Sequence, residues 1–279
     1  MTLIKKKTQG LRHSIADHLP LVFIFIPAFS LLLLSSCLSS SAKAEEYYSL
    51  GMAYFELKKY PQAENWFNKS KYHSITKTAS EYNLGRIAYE TGRYREARRY
   101  FERIIGRDRE NVTALKAAAY TCIKLEEFDK AEDYYRRILG LVPESYDEGY
   151  NYALVLMALG RAGDAESVLI AHTDILNPDN NTENAKALLL LARAQKEQGK
   201  PEAADTYNAC LQKEDNPVVR AEYAAYLAEN GHTDKALKEY RLALENSKLT
   251  EAKKKEIQEA ITALETDGEG DSKVQQDAK

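Results

Sequence analysis

The chain has 279 residues, of which 44% are hydrophobic and 29% are charged, a balance typical of a globular or repeat protein. Its formal net charge is −3. Residues 1–36 hold four basic groups and one acidic group, which leaves 35 basic and 41 acidic groups in residues 37–279. Nucleic-acid-binding proteins normally carry a surplus of Lys and Arg, so we expect no nucleic-acid partner.

The first 36 residues have the make-up of a secretory leader. Lysines and an arginine lie within residues 1–18, and an apolar stretch follows over residues 19–34. A bilayer-spanning helix needs about 20 apolar residues, whereas this stretch has 16 and is interrupted by Pro20 and Pro27. A basic start and a short apolar core that ends in small residues are typical of a signal peptide. The alternative is an uncleaved membrane anchor.

The end of this leader, Leu34-Ser35-Ser36-Cys37, resembles the lipobox of bacterial lipoproteins. The resemblance implies a signal peptide over 1–36, a covalent diacylglycerol and further acyl chains on Cys37, and a lipidated linker over 37–43. Two or three acyl chains would anchor the protein stably. No aspartate follows Cys37, which in enterobacterial lipoproteins favours the outer membrane, facing the periplasm. We expect no cofactor beyond this lipid.

From residue 44 onward the sequence repeats every 34 residues. The stretch YYSLGMAYFELKKYPQAENWF is followed by the similar EYNLGRIAYETGRYREARRYF. An alanine slot recurs with a large slot four residues later: Ala63, Ala97, Ala131 and Ala165, then Phe67, Phe101, Tyr135 and Leu169. Small residues recur upstream, in Leu50-Gly51, Leu84-Gly85, Ala118-Ala119 and Tyr152-Ala153. A turn slot between them holds Lys58, Gly92, Glu126 and Gly160.

The period loosens and then ends towards the C-terminus. In a fifth unit the key alanine is Ala203 or Ala204, because extra residues occupy 173–184, a segment rich in turn formers. A sixth unit follows with Gly231, Ala236 and Tyr240. Thr250 is a predicted helix N-cap, and residues 250–267 have an apolar stripe at helical spacing. Residues 268–279 have no pattern and are predicted to be a disordered tail.

These motifs and their spacing resemble the tetratricopeptide repeat. The resemblance implies an all-α, right-handed superhelix, an α-solenoid of about six helix-turn-helix repeats plus a C-terminal capping helix. The predicted repeats cover residues 44–249, with 44–77, 78–111, 112–145, 146–184, 185–216 and 217–249 as the six units, and 250–267 as the cap. A terminal cap is expected because the last repeat must cover its apolar face.

In this family the first helix of each repeat lines a concave groove that binds peptides. Placing the sequence on that frame gives a set of partner-binding residues that we call the groove row. It consists of Tyr48, Phe55, Tyr82, Asn83, Arg86, Tyr89, Lys116, Tyr120, Tyr150 and Asn151. Tyrosine rings, amides and cations suit an extended peptide. The alternative is that the tyrosines only pack the helix interfaces.

Two further patterns carry weaker functional hypotheses. Lys116, Asn151 and Lys186 fit three of the five slots of the family's carboxylate clamp, but Tyr120 and Leu190 replace the expected Asn and Arg. Seven arginines lie between residues 93 and 109, with carboxylates interleaved at helical reach. They are either a solvated, paired face or a patch for anionic lipid or an acidic partner.

No catalytic or metal-binding motif is present, so we expect no enzymatic activity and no metal. Cys122 and Cys210 are predicted to be buried thiols outside any disulfide. The sequence predicts a lipid-anchored adaptor or scaffold of the bacterial cell envelope that binds a peptide or protein. It resembles repeat-containing lipoproteins that assemble outer-membrane proteins, pilot pilus secretins or recruit cell-wall hydrolases. The alternative is a structural, self-associating homo-oligomer.

Overall fold

The computed structural model describes residues 41–172, 182–246 and 249–277, with only the backbone described for 182–184 and 267–277. The leader, the lipobox cysteine Cys37 and the start of the linker lie outside the described residues. None of the described helices is both long enough and apolar enough to cross a bilayer.

The described residues form 13 α-helices and no strand, which confirms the all-α repeat fold. The first twelve helices pair into six hairpins, and the thirteenth follows the last hairpin. Their bounds are α1 41–56, α2 Tyr60–Ser70, α3 Lys77–Glu90, α4 Tyr94–Arg107, α5 Val112–Lys124, α6 Phe128–Leu141, α7 Tyr146–Ala158, α8 Ala162–His172, α9 Thr182–Glu197, α10 Ala203–Lys213, α11 Pro217–Glu229, α12 Thr233–Leu244 and α13 Glu251–Asp277.

The chain divides into two compact units, Met1–Ala117 and Ala118–Lys279, and the division falls within α5. The described part of the first unit, residues 41–117, holds two complete hairpins, α1–α2 and α3–α4. The described part of the second unit holds three complete hairpins from α7 to α12, together with α6 and α13. Each unit is built from the same repeat, so each can be understood from its own hairpins.

Close approach of the two helices in a hairpin depends on the small residues that the sequence pattern singled out. The four key alanines, Ala63, Ala97, Ala131 and Ala165, are all fully buried. A Cβ atom on Gly51 would lie 2.7 Å from the Phe67 ring, and one on Gly85 would lie 2.6 Å from the Phe101 ring. These distances are shorter than normal contacts, so any larger residue would force the ring to shift, and glycine is favoured at both positions.

The turn between the helices of a hairpin needs one residue in the left-handed backbone region. Gly92 and Gly160 supply it with φ of 76° and 71°, and Lys58 and Glu126 adopt φ of 55° and 58° in the same slot. Only glycine takes this conformation without steric cost. The turn slot found in the sequence is therefore a backbone requirement, which two repeats meet with an unfavourable residue.

The second unit shows which alanine is the key one in the fifth hairpin and whether Thr250 caps the last helix. In the fifth hairpin Ala203 is fully buried whereas Ala204 is partly exposed, so Ala203 is the key alanine. The Thr250 side chain accepts a hydrogen bond from the Lys253 N–H at 3.3 Å, which confirms it as an N-cap.

Two predicted boundaries differ from the helix bounds. The boundary at 184/185 falls inside α9, which begins at Thr182 and so includes the last three residues of the turn-rich segment 173–184. The last helix continues to Asp277, ten residues past the predicted end of the cap at 267. Its N-terminal part carries the apolar stripe, since Ile257 and Ile261 are buried with Tyr240 and Leu249 in one cluster.

Candidate binding groove

The first unit brings four residues of the groove row into one contact network. The Asn83 Nδ2 group donates a hydrogen bond to the Tyr48 hydroxyl at 3.1 Å and another to the Ala79 carbonyl at 3.0 Å. Arg86 Nη1 donates to Asn83 Oδ1 at 3.0 Å, and its guanidinium carbon lies 4.3 Å from the centroid of the Phe55 ring. The network thus joins α1 to α3, that is, repeat one to repeat two.

The other aromatic residues of the row in this unit pack on α4. The Tyr82 and Phe101 ring centroids are 5.6 Å apart, and those of Tyr89 and Tyr94 are 5.4 Å apart. Burial raises the pKa of Tyr89, and the neighbouring Tyr94 and Glu90 add to the effect. Tyr82 and Tyr89 are both partly buried, so part of each side chain remains accessible to solvent.

In the second unit the row continues with a similar pair of groups. The Asn151 Nδ2 group donates to the Tyr120 hydroxyl at 3.0 Å, as Asn83 does to Tyr48. Tyr120 is 38% exposed, and its ring lies edge-on to Tyr135 with the centroids 6.4 Å apart. Tyr150 is half-buried, and its pKa is raised by burial, with Arg193 opposing that shift. Lys116, on the part of α5 that belongs to the first unit, is also half-buried.

Packing and groove lining are therefore not exclusive alternatives for these tyrosines. Tyr48 packs its ring against Phe67, with centroids 5.6 Å apart, as Tyr82 does against Phe101. Both remain partly exposed, and the Tyr48 hydroxyl is part of a polar network. Assignment of the row to a ligand stays a prediction, but its polar groups are organised side by side within each unit.

Sequence reasoning missed a set of carboxylates that link successive hairpins. Glu64 pairs with Arg93, while Glu132 accepts two hydrogen bonds from Arg161 at 2.8 Å. Glu166 pairs with Lys200 at 2.6 Å. Glu64, Glu132 and Glu166 are separated by multiples of 34 residues and so occupy the same position of the repeat. This spacing would have allowed their prediction from the sequence.

A second missed feature is a tyrosine–carboxylate–arginine cluster in repeats five and six, in which the tyrosine is buried, the carboxylate is partly exposed and the arginine is exposed. The Tyr207 hydroxyl donates to Glu222 at 2.9 Å, and Arg193 donates to both Glu222 oxygens at 2.8 and 2.7 Å. Burial acts to raise the pKa of Glu222, but the hydrogen bonds from Arg193 and Tyr207 outweigh it and hold that pKa below its ordinary value. Burial also raises the pKa of Tyr207, and the Glu222 charge adds to this. The cluster is structural, because Tyr207 itself is fully buried.

Three of the seven arginines in the segment 93–109 form ion pairs. Arg93 pairs with Glu64 and Glu96, Arg98 pairs with Glu102 at 3.2 Å, and Arg107 pairs with Glu81. A further member, Arg103, lies over the Tyr100 ring at 4.7 Å. These contacts favour the paired-face interpretation over an open anionic-ligand patch.

The cysteines and histidines of the described residues form no reactive constellation. Cys122 and Cys210 are both buried free thiols, as predicted. Burial raises the pKa of the Cys210 thiol to about 11, and Glu214 and Glu222 add to the shift, so the thiolate is disfavoured at neutral pH. Within the described ranges no group of three His, Cys, Asp or Glu side chains is placed to hold a metal ion.

Comparison with known families identifies the repeat directly. Models described as tetratricopeptide repeat match residues 44–72, 82–146 and 186–216. No curated protein matches the chain in sequence.

Solved structures of repeat proteins share the fold. A tetratricopeptide repeat protein from Parabacteroides merdae ATCC 43184 is 19% identical with a TM-score of 0.62, over 75% of this chain and 82% of that one. YrrB, described as a TPR protein with an unusual peptide-binding site, is 18% identical with a TM-score of 0.55, over 64% and 91%. PilW, a type IV pilus biogenesis factor, is 19% identical with a TM-score of 0.54, over 69% and 86%.

The matched segments fall in both units and include the slots of repeats one, two, three and five. The buried alanines, the left-handed turns and the structural likeness agree with these matches. The chain therefore carries tetratricopeptide repeats, and its described residues have the all-α fold of that repeat.

Proposed function

We propose that the chain is a lipid-anchored adaptor of the bacterial cell envelope that binds an extended peptide or protein segment along the groove row. The carrying observation is the Tyr48–Asn83–Arg86 network. Arginine only donates hydrogen bonds, so Asn83 must turn its oxygen to Arg86 and its N–H group to Tyr48. The Tyr48 oxygen then acts as acceptor, and the hydroxyl proton can be donated to a ligand.

The chemistry of the row defines the class of ligand. Tyrosine hydroxyls, the Arg86 guanidinium and the Lys116 ammonium are hydrogen-bond donors, which suit the carbonyl oxygens of an extended peptide and the carboxylates of acidic residues or a chain end. Rings such as Phe55 and Tyr82 supply contact area at little cost in conformational entropy. An acidic or C-terminal peptide segment fits this combination best.

The proposed membrane attachment is argued from the lipobox sequence. The proposed binding of a peptide or protein is supported by the descriptions of two similar structures. A diacylglycerol and further acyl chains on Cys37 would hold the protein on the outer membrane, facing the periplasm. YrrB is described by a peptide-binding site, and PilW by a role in pilus biogenesis. The first description supports a peptide-binding role for this chain, and the second supports a role in the assembly of an envelope structure.

The anchor is tested by Cys37→Ala, with Cys122→Ala as the matched control at a buried thiol. We expect Cys37→Ala to abolish acyl labelling and to release the protein from the membrane fraction. Retention of the unlabelled variant in the membrane would instead support an uncleaved anchor.

The groove is tested by affinity capture from intact envelopes, followed by mass spectrometry and a binding assay with the captured partner. Tyr48→Phe combined with Arg86→Gln removes donors but keeps packing, whereas Tyr82→Ala combined with Tyr150→Ala removes contact area. Both variants should lose capture, while Tyr72→Phe, which removes a hydroxyl outside the row, should not. Normal capture by both folded variants would refute the groove.

The structural alternative is tested by light scattering. A stable homo-oligomer whose groove is filled by its own chain would support that alternative.

A further inference from the structure

The connection between α2 and α3 carries a surface that the groove does not explain. Residues 69–77, KSKYHSITK, contain three lysines and no acidic residue. Tyr72 is 82% exposed and Ile75 is 61% exposed. A tyrosine and an isoleucine that project among lysines match the interfacial region of a bilayer, where aromatic rings sit at headgroup level and lysines reach to the phosphates.

The exposure of these side chains is built into a fixed turn. The Thr76 hydroxyl donates to the Ser70 carbonyl at 2.7 Å, and Thr76 is itself buried. The His73 N–H also donates to the Ser70 carbonyl, at 3.0 Å, and the Thr76 N–H donates to the His73 carbonyl at 3.2 Å. These three hydrogen bonds fix the turn in which Tyr72 and Ile75 are exposed.

This segment lies at the end of the first unit where the described chain begins. The Ser70 hydroxyl donates to the Ala44 carbonyl at 3.0 Å, which ties the first turn of α1 to the segment. The Tyr47 ring lies 5.7 Å from Trp66 and 6.3 Å from His73, centroid to centroid. The start of α1 and the exposed turn therefore share one surface.

The distance from this surface to the membrane anchor is limited by the chain. Seven residues separate Ala44 from Cys37, and they span at most about 23–25 Å. If the apolar stretch itself is the anchor, ten residues separate Ala44 from Leu34 and span at most about 33–36 Å. Under either form of attachment, residues 69–77 stay within a few nanometres of the bilayer.

The charge around the segment favours an anionic surface. The segment and the first turns of α1 together carry four lysines, Lys43, Lys69, Lys71 and Lys77, and two acidic residues, Glu45 and Glu46. The Lys69 ammonium lies 4.1 Å from the Trp66 ring centroid, so this cation and ring form a compact pair. Anionic headgroups attract such lysines, with an effect of about fivefold in affinity for each lysine close to the surface.

We infer that residues 69–77, together with Trp66, form a second membrane contact that rests on the anionic headgroups of the bilayer holding the anchor. Tyr72 and Ile75 enter the interfacial region, and the lysines bind headgroup phosphates. The inference depends on the membrane attachment in the proposed function but not on the groove or its partner. It fixes which end of the first unit faces the membrane.

The test uses tryptophan fluorescence, because Trp66 is the single tryptophan of the chain. In a Trp66→Phe background, Tyr72→Trp places a probe on the proposed contact. Leu57→Trp is the matched control, since Leu57 is 64% exposed in the α1–α2 turn, about 20 Å further along α1 from Ala44. The whole chain is purified from bacterial membranes and reconstituted into phosphatidylcholine vesicles that contain phosphatidylglycerol and brominated lipid, with flotation as the check on attachment.

We expect several-fold stronger quenching by brominated lipid at position 72 than at position 57, and a blue-shifted emission at 72 only. Replacing Lys69, Lys71 and Lys77 with Gln, or omitting phosphatidylglycerol, should weaken the quenching at 72 while flotation persists. Equal quenching at both positions, or none at 72 in a chain that floats, overturns this inference and leaves the anchor intact. A chain that does not float overturns both. Since the vesicles hold no other protein, quenching at 72 cannot come from a protein partner.

Discussion

The two units use the same repeat slots but fill them in different ways. In the first unit, Gly51 and Gly85 lie under the rings of Phe67 and Phe101. In the second unit the glycine slots hold alanine, Ala119 and Ala153, and the phenylalanine slots hold Tyr135 and Leu169. All four of these second-unit side chains are fully buried.

The comparison shows that the repeat requires close helix packing rather than particular residues. A phenylalanine ring that lies over the first helix needs glycine beneath it, since a Cβ would come within 2.6–2.7 Å. Tyr135 instead stacks on Tyr152, with centroids 6.2 Å apart, and meets Tyr120 edge-on at 6.4 Å. Its ring finds other aromatic neighbours, and alanine is tolerated at the glycine slot.

The largest expected change in stability comes from substitutions at the alanine slot, and it tests whether both units depend on the same close helix contact there. Ala97→Leu in the first unit and Ala131→Leu in the second add a bulky side chain at a fully buried position, so each should lower the free energy of unfolding by about 2–3 kcal/mol. In a stack of repeats that loss spreads to adjoining hairpins. Urea denaturation followed by circular dichroism measures it, with the exposed Ala158→Leu as control. Unchanged stability in both variants would mean that the alanine register is wrong.

The glycine–phenylalanine contact is tested by converting repeat two to the residues of repeat four. Gly85→Ala gains helix propensity of about 1 kcal/mol but pushes its Cβ into Phe101, for a net loss of about 1–2 kcal/mol. Gly106→Ala is the control, because a Cβ there has no neighbour within 4 Å, and it should stabilise α4 instead.

The double variant Gly85→Ala, Phe101→Leu recreates the alanine–leucine pair of repeat four. It should be more stable than the sum of its single substitutions predicts, and a double-mutant cycle in urea measures that coupling. Additive effects would contradict a direct contact between the two positions.

The Tyr207–Glu222–Arg193 cluster lies in the second unit, and the pH dependence of its contribution to stability can be predicted. Glu222→Gln should cost about 1 kcal/mol at neutral pH, a modest value because Arg193 is half exposed. The pKa of Glu222 is lowered in the folded state, so its contribution is present above the unfolded value of about 4.3 and is lost as pH falls through the folded value. The stability difference between wild type and variant should therefore shrink in acid.

Urea titrations at neutral pH and at about pH 3 measure this difference. Glu229→Gln, which breaks the exposed pair with Lys196, is the control and should cost about 0.5 kcal/mol or less. A wild-type advantage that persists undiminished in acid would argue against an ionised Glu222 in the cluster.

The comparison of units also shows which features of the fold could be predicted from the sequence. The 34-residue period was enough to place the alanine slots, the large slots and the turn slot, because each of them is a packing or backbone requirement repeated in every hairpin. The fifth unit could not be placed to the residue, since the insertion over 173–184 breaks the period. Burial of Ala203 decides that register.

Side-chain networks were less predictable. Tyr48 and Tyr82 share a repeat slot, yet the Tyr48 hydroxyl is hydrogen-bonded because position 83 is Asn and position 86 is Arg. Such a contact depends on residues from two repeats and on side-chain direction, neither of which a period specifies. The same limit explains why the sequence did not separate packing from groove lining for these tyrosines. The structure shows their packing on Phe67 and Phe101, and groove lining stays a prediction.

The smallest predicted effect concerns the turn slot, where each unit carries one strained residue. Lys58 and Glu126 adopt φ of 55° and 58°, and Lys58→Gly and Glu126→Gly should each stabilise the protein by about 0.5 kcal/mol. The gain is small because relief of the left-handed strain is partly offset by the greater freedom of glycine in the unfolded chain. Thermal melting of each variant measures it.

The chain supplies matched controls for this prediction at the next residue of each turn. Lys59 and Glu127 are the same residue types as their neighbours but have φ of −84° and −88°. Lys59→Gly and Glu127→Gly should therefore destabilise the protein, because glycine there relieves no strain and still loses more entropy on folding. If glycine has the same effect at 58 as at 59, and at 126 as at 127, backbone conformation does not set the residue preference of this slot. If it stabilises only at 58 and 126, both units carry the same removable strain in this turn.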